Sequence, residues 1–233
     1  MDRWRVCVEP LVYQPTLEKT TMKDYSQNGE AVVIAEIFDT LGIRKGHAIE
    51  FGAGNGRDLS NTRNLTERGW TADLYDGDPQ GSTEVKQAWI DMAWASKPVP
   101  QSCNFLSIDI DGIDYWILDA LLGAWKRDGH DMPDLVIAEY NPIHPRELAV
   151  TIPLDESHRW DGSTWYGASL AAFEQLAAKH GYTLIRTHAG INAFLLRNDH
   201  AKAHPELIRP IEYRVKHDHK PHPSDKTWQR LTT

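Results

Sequence analysis

The chain has 233 residues, of which 41% are hydrophobic and 25% are charged, and its formal net charge is −8 at pH 7. This length and composition are typical of one sizeable globular domain that buries its own core. The acidic balance argues against a broad phosphate-binding surface, so a nucleic-acid partner is not expected. No apolar run is long enough to cross a membrane. The only two cysteines, Cys7 and Cys103, give no disulfide framework and favour a reducing, cytoplasmic location.

The predicted elements alternate between helices and strands from residue 26 to residue 197. Helices are predicted over residues 31–41, 59–68, 82–95, 115–125 and 168–180, and strands over residues 47–51, 70–75, 104–109 and 135–139. Strands that alternate with helices predict a mostly parallel sheet with helices on both faces. Two further strands, over residues 182–187 and 191–196, flank Gly190 and predict an antiparallel β-hairpin. The expected fold class is therefore a Rossmann-like, doubly wound α/β fold, and an antiparallel α+β fold fits this alternation poorly.

Three segments lie outside the alternation. Residues 1–25 contain two prolines and are expected to form an irregular N-terminal extension. Residues 141–166 contain three prolines, two histidines and two tryptophans, which predicts an ordered loop that acts as a lid over a substrate. Residues 198–233 carry five histidines at irregular spacing, so we expect a solvated tail or a surface helix there rather than a metal site.

The most informative motif lies where the first predicted strand ends. From residue 50 to residue 56 the sequence is Glu50-Phe51-Gly52-Ala53-Gly54-Asn55-Gly56. Glycine at alternate positions lets the backbone turn sharply and lets a ligand approach without meeting a Cβ atom. A strand, a turn of this kind and a helix N-terminus form the nucleotide-binding corner of doubly wound sheets. The dinucleotide pattern G-x-G-x-x-G is not matched, because Arg57 stands at its last glycine. A purely structural tight turn is the alternative.

Several motifs occur in a fixed order along the chain. They lie at residues 25–30, 50–56, 59–62, 77–79, 107–112 and 137–142, and the terminal hairpin follows them. In this order they resemble the FkbM-like branch of class I S-adenosylmethionine (SAM) methyltransferases, across roughly residues 24–197. The resemblance implies SAM as the cofactor and residues 26–197 as the methyltransferase domain.

The resemblance also implies roles for individual residues. The residues expected to wrap the methionine part of SAM are Glu50, Gly52, Ala53, Gly54, Asn55 and Gly56. Asp76, at the end of the second predicted strand, is expected to bind the ribose hydroxyls, and a carboxylate is a suitable acceptor for two vicinal hydroxyls. The alternative for Asp76 is a turn residue before Gly77.

One region departs from the family pattern. Between Pro79 and Asn104 the family has a helix, a third strand with an adenine contact and another helix. Here there is room for one helix and a proline-containing connector. The third strand is therefore expected to be short or missing, and with it one wall of the adenine pocket.

Carboxylates stand at the ends of two later strands. Asp109 and Asp111 end one predicted strand, and Glu139 ends the next. Ligands of open α/β sheets bind just beyond the carboxyl ends of the strands, so these three side chains are expected to meet in one crevice. A divalent cation such as Mg²⁺ would relieve their mutual repulsion and could bind substrate hydroxyls. In the alternative interpretation, Asp111 caps the helix that follows and Asp109 binds loop amides.

Methyl transfer to oxygen also requires a base. His158 is the best-placed imidazole, and with Asp109 and Glu139 it completes the set of catalytic candidates. Trp160, Trp165 and Tyr166 could stack on a sugar or an aromatic acceptor, or could pack within the lid. The sequence thus predicts O-methylation of a small molecule or saccharide. Two alternatives are a metal-dependent hydrolase or isomerase that uses Asp109, Asp111 and Glu139, and a binding module without catalytic activity.

Overall fold

The computed structural model describes residues 23–96, 103–216 and 219–232, so most of the predicted N-terminal extension lies outside the described residues. The strands are β1 (His47–Phe51), β2 (Thr71–Asp76), β3 (Lys86–Gln87), β4 (Phe105–Ile108), β5 (Leu135–Glu139), β6 (Val150–Thr151), β7 (Tyr182–His188), β8 (Asn192–Arg197) and β9 (Gln229–Arg230). The α-helices are α1 (Glu30–Thr40), α2 (Arg63–Thr66), α3 (Met92–Ala95), α4 (Asp114–Asp128), α5 (Leu170–His180) and α6 (Asn198–Ala203). A short 3₁₀ helix follows at Pro205–Leu207.

Seven strands form one mixed sheet in the order β3-β2-β1-β4-β5-β8-β7. The first five of these pair in parallel, whereas β8 runs antiparallel to both β5 and β7. The parallel arrangement places the carboxyl ends of β1, β2, β4 and β5 along one edge of the sheet. The predicted Rossmann-like fold with a terminal antiparallel hairpin is therefore confirmed.

The core lies on both faces of this sheet. Consecutive residues of β4 point to opposite faces: Phe105 packs near Phe38 of α1, with ring centroids 6.0 Å apart, and Leu106 belongs to the cluster that includes Leu118 of α4. All four side chains are buried. Helices thus cover both faces, as expected for a buried parallel sheet. Within the described ranges, every helix is too short or too polar to cross a lipid bilayer.

The helix predicted over residues 59–68 is wrong for residues 59–62 and 67–68, because only Arg63–Thr66 are α-helical. Leu59 has a left-handed backbone with φ of 61°. Ser60 and Thr62 donate side-chain hydrogen bonds to Glu50 instead of entering a helix. Such local side-chain bonds compete with helix formation.

The helix predicted over residues 82–95 is also wrong for most of its length. The segment contains the two-residue strand β3, which pairs with the end of β2, and the four-residue helix α3. Asp91 starts α3 as its N-cap, since its side chain accepts a hydrogen bond from the Trp94 N–H at 2.6 Å. The third strand of the fold is therefore present but short. Residues 97–102 of the expected connector lie outside the described residues.

The predicted lid, residues 141–166, is tied to the C-terminal tail. Its one strand, β6, pairs antiparallel with β9. Two further hydrogen bonds, from Thr164 N to the Lys220 carbonyl at 2.9 Å and from His222 N to Thr164 Oγ1 at 3.1 Å, join the same two segments. The tail includes a surface helix, α6, as expected, and residues 219–232, most of which are exposed, contact the lid through these bonds.

Candidate functional site

A cleft of about 850 Å³ opens at the edge where β1, β2, β4 and β5 end. This edge is where doubly wound sheets bind ligands. The predicted site residues that line the cleft are Gly52, Ala53, Gly54, Asn55, Asp76, Asp109, Asp111, Glu139 and His158. Glu50 and Gly56 are placed behind the wall of the cleft, where they contact the protein interior.

Two glycines of the turn have different tasks. Gly52 and Gly54 have φ angles of 79° and 53°, in the left-handed region that favours glycine. A Cβ atom on Gly52 would lie 1.6 Å from the carbonyl oxygen of Asp109, so the backbones at the ends of β1 and β4 can approach because no side chain is present. A Cβ atom on Gly54 would meet no protein atom within 4 Å. Gly54 lines the cleft, so this open space is available to a ligand.

Glu50 holds the segment that follows the glycine turn. Its buried carboxylate accepts hydrogen bonds from Ser60 Oγ and Asn61 N, each at 2.7 Å, and from Thr62 Oγ1. Burial raises the pKa of Glu50, and these hydrogen bonds oppose the shift. Gly56 acts through packing, because a Cβ atom there would lie 2.8 Å from Val85. Glu50 and Gly56 therefore stabilise the conformation of the glycine turn from its interior side.

Asp76 links the glycine turn to the end of β2. One carboxylate oxygen accepts the Gly54 N–H at 2.8 Å, and the other accepts the Asp78 N–H at 2.7 Å. Each oxygen of a carboxylate can accept a second hydrogen bond, and Asp76 lines the cleft. Asp76 is thus a turn residue before Gly77 and at the same time offers acceptor positions to a ligand.

The structure brings the three strand-end carboxylates together. Asp109, Asp111 and Glu139 each offer an oxygen, and these oxygens lie within 4.8 Å of one another. Burial, followed by the charges of neighbouring carboxylates, raises the pKa of Asp109 and Glu139 well above their usual values. Burial and the charges of Asp114 and Asp76 raise the pKa of Asp111 to about 6. After burial, the charge of Asp109 contributes most to the raised pKa of Glu139, because ionisation of both carboxylates at close range is unfavourable.

The loop that carries Asp111 is held by a residue that the sequence analysis did not identify. Asp114 is buried, and its carboxylate accepts hydrogen bonds from Ile110 N and Gly112 N, both at 2.8 Å. The N-cap of α4 is Ile113, and no side chain caps this helix. The alternative that Asp111 caps the helix is therefore wrong. The available signal was the position of Asp114 in the first helical turn, directly after a strand-end loop.

His158 reaches the same region from the lid. Its ring lies beside Gly112, where a Cβ atom would be 2.9 Å from His158 Cδ2. Its Nε2 atom is buried and has no hydrogen-bond partner among the described residues. Burial lowers the pKa of His158, and the backbone of Asp111 partly opposes the shift. The imidazole is therefore neutral near pH 7 and can accept a proton.

Three aromatic rings close the lid side of the cleft. Trp160, Tyr166 and His219 all line it, and their ring centroids lie between 5.1 and 6.0 Å apart. Tyr166 is 3% exposed. Trp165 packs against Trp228 instead, with centroids 4.8 Å apart. The sequence analysis missed His219 because it stands in the irregular tail, where no spacing marks it.

Comparisons with known proteins give distant structural similarities. No protein-family profile matches the sequence, and no curated protein matches it. A Burkholderia thailandensis 1,6-didemethyltoxoflavin-N1-methyltransferase with bound S-adenosylhomocysteine is similar at 13% identity, over 74% of this chain and 80% of that chain, with a TM-score of 0.40. A Synechocystis PCC 6803 magnesium protoporphyrin IX methyltransferase with bound SAM is similar at 11% identity, over 77% of this chain and 88% of that chain, with a TM-score of 0.39. Streptomyces venezuelae DesVI is similar at 10% identity, over 73% of this chain and 92% of that chain, with a TM-score of 0.42. These similarities are too distant to place the chain in a family, so the roles of its residues follow from its own geometry.

Proposed function

We propose that the protein is a SAM-dependent methyltransferase that methylates an oxygen atom of a small molecule or saccharide. The observation that carries this proposal is the hydrogen bond between Asp76 and Gly54. This hydrogen bond holds a carboxylate, which is a suitable acceptor for hydroxyls, next to a turn that leaves open space for a ligand. A nucleoside bound at a glycine turn requires this combination. The ordered motifs that resemble the FkbM-like branch support the same cofactor.

The cofactor half of the cleft would be built by two elements. Gly52, Ala53, Gly54 and Asn55 would surround the methionine part of SAM, and Asp76 would accept hydrogen bonds from the ribose hydroxyls. Glu50 and Gly56 would act indirectly, since they hold the shape of the turn. When bound, SAM supplies an electrophilic methyl group.

The acceptor half of the cleft, formed by His158, Asp109 and Glu139 with Trp160 and Tyr166, would bind the acceptor and remove the proton of its hydroxyl group. A hydroxyl that is methylated must lose its proton, and His158 would take it, because its neutral ring lines the cleft. Asp109 and Glu139, which both line the cleft, would orient the acceptor hydroxyl through hydrogen bonds. Trp160 and Tyr166 offer ring faces and edges to the rest of the acceptor.

Substitution of Gly54 tests the cofactor assignment. In Gly54→Val the side chain enters the open space of the cleft, so SAM affinity measured by calorimetry should fall by more than about tenfold. Gly42→Val is the matched control, because Gly42 also has a positive φ (72°) and open space around its Cβ position, but lies outside the cleft. A folded Gly54→Val protein that binds SAM as tightly as the parent would show that the turn does not hold the cofactor.

The carboxylate trio supports a second candidate function. Oxygens within 4.8 Å of one another suit a hard divalent cation, so Asp109, Asp111 and Glu139 could bind Mg²⁺. The cation would bind two acceptor hydroxyls in a methyltransferase, or would support hydrolysis or isomerisation in a different enzyme. The experiment is a metal titration followed by thermal unfolding.

A metal bound by the folded state must raise the melting temperature of the parent. Asp109→Asn and Glu139→Gln should abolish the increase with Mg²⁺, while their melting temperatures without metal should equal or exceed that of the parent, because repulsion is relieved. Asp58→Asn, another carboxylate of the cleft, should keep the increase. An unchanged parent melting temperature at millimolar Mg²⁺ would remove the metal hypothesis and leave the first proposal intact.

A further inference from the structure

Two contacts join opposite walls of the cleft. The guanidinium carbon of Arg159, in the lid, lies 3.4 Å from the ring centroid of Trp89, in the segment that follows β3. Glu156 Oε1 accepts a hydrogen bond from Met92 N at 2.7 Å, so a second lid residue binds the same segment. Trp89 and Glu156 both line the cleft. The lid is thus fastened to the wall formed by residues 89–92.

Trp89 connects this fastening to the cofactor half of the cleft. Its ring packs on Gly77, where a Cβ atom would lie 2.6 Å from Trp89 Cε3. Gly77 directly follows Asp76, the carboxylate proposed to bind the ribose. Trp89 is 48% exposed although it lines the cleft, so part of its ring remains available to a ligand. A ligand bound at Asp76 would therefore lie next to Trp89, the residue that Arg159 contacts.

The fastened part of the lid is a compact turn that carries His158. Asp155 Oδ1 accepts hydrogen bonds from Ser157 N at 2.9 Å and from Ser157 Oγ, and the Asp155 carbonyl accepts from His158 N at 3.0 Å. Arg159 Nη1 also donates to the His158 carbonyl at 2.6 Å. Because the turn is tied internally, a contact at Arg159 constrains the position of His158.

We propose that Arg159 and Glu156 are positioning residues, which hold the lid turn of residues 155–160 against Trp89 and Met92. When the cofactor is bound, these contacts keep His158 next to the bound acceptor. This inference rests on the proposed function. The geometry couples cofactor binding to the order of the lid turn, because Trp89 packs on Gly77, next to Asp76, and also contacts Arg159. A cation stacked on an indole ring is one of the stronger contacts available to an exposed side chain.

The experiment measures hydrogen–deuterium exchange of residues 155–160 and calorimetric affinity for S-adenosylhomocysteine (SAH), in the parent and in variants. In the parent, SAH should slow exchange in this turn. Arg159→Ala should lose this protection and bind SAH about threefold to tenfold more weakly. Arg159→Lys keeps the charge and should restore part of both effects. Arg127→Ala, which removes an exposed arginine paired with its neighbour Asp128, should behave like the parent.

A second variant separates the contact across the cleft from the bonds within the turn. Trp89→Leu removes the ring but leaves the hydrogen bonds of Arg159 inside the turn, and it should also abolish the SAH-dependent protection. Full protection in Arg159→Ala or in Trp89→Leu, with SAH bound, would overturn the inference while the proposed function stands. A parent that does not bind SAH would refute the proposed function itself, and the inference with it.

Discussion

At the scale of single residues, acidic side chains near the cleft do different work according to what surrounds them. Glu50 and Asp114 are buried, and each accepts hydrogen bonds from a neighbouring loop, so they fix backbone shape. Asp76 also accepts backbone hydrogen bonds but keeps a face toward the cleft. Asp109 and Glu139 lie close together at the cleft, and burial together with neighbouring carboxylate charges raises the pKa of both.

His144 gives a prediction about pH and stability. Burial, with a smaller contribution from the charge of His222, lowers the pKa of His144 to about 4, and its ring packs edge-on against Trp228 at 4.2 Å. In the unfolded chain a histidine has a pKa of about 6.5. As the pH falls from about 6.5 to about 4, His144 is therefore protonated in the unfolded state but not in the folded state. The free energy of unfolding decreases over this range.

His144→Phe should reduce this loss of stability. The measurement is the free energy of unfolding in urea at pH 7.5 and at pH 5, for parent and variant. The parent should lose more stability than the variant between these two values, while the contributions of the other titrating groups cancel in the comparison. Equal losses in the two proteins would show that His144 takes up its proton as easily in the folded state as in the unfolded state.

At the scale of elements, the ends of strands were more predictable than the starts of helices. The spans of β1 and β5 agree with the prediction, because each is a short apolar run in the middle of the sheet. The starts of α2 and α3 were misplaced, because they depend on side-chain hydrogen bonds. Those bonds, from Ser60 and Thr62 to Glu50 and from Trp94 to Asp91, join atoms whose proximity is not visible in an apolar pattern.

The residues of the candidate site could likewise be predicted only in part. The glycine turn and the carboxylates Asp76, Asp109 and Glu139 could be predicted, because strand ends converge on one edge of a parallel sheet. Asp114 was assigned no role, although it holds the loop of Asp111. His219 could not be predicted, because the hydrogen bonds of Thr164 with Lys220 and His222 hold this part of the tail on the lid, and no spacing in the sequence marks them.

Glu50→Gln tests whether the segment after the glycine turn is held by that carboxylate. An amide keeps one acceptor oxygen and turns an NH₂ group toward one of the donors, so the variant should lose about 1–3 kcal/mol in free energy of unfolding. The measurement is urea unfolding, and Glu147→Gln, on an exposed side chain, is the control that should change little. Equal stability of Glu50→Gln and the parent would contradict the structural role.

At the scale of the whole molecule, the sheet, the lid and the tail all contribute walls to one cleft. The sheet edge supplies the glycine turn and the carboxylates, the lid supplies His158 and Trp160, and the tail supplies His219. Residues far apart in sequence therefore meet around one space, which lies where the fold places its ligands. The central claim about this molecule is that the cleft holds the ribose of SAM at Asp76.

The most direct test is a comparison of SAH with its 2′-deoxy analogue in the parent and in Asp76→Ala, by calorimetry. Asp76→Ala should weaken SAH binding by about 1.5–3 kcal/mol, the range for hydrogen bonds to a charged group. The analogue should lose affinity in the parent but much less in the variant, because the carboxylate that recognises the missing hydroxyl is gone. Asp58→Ala, which removes another carboxylate of the cleft, should leave the discrimination unchanged. Equal discrimination by the parent and by Asp76→Ala would contradict the account, because it would place the ribose away from Asp76.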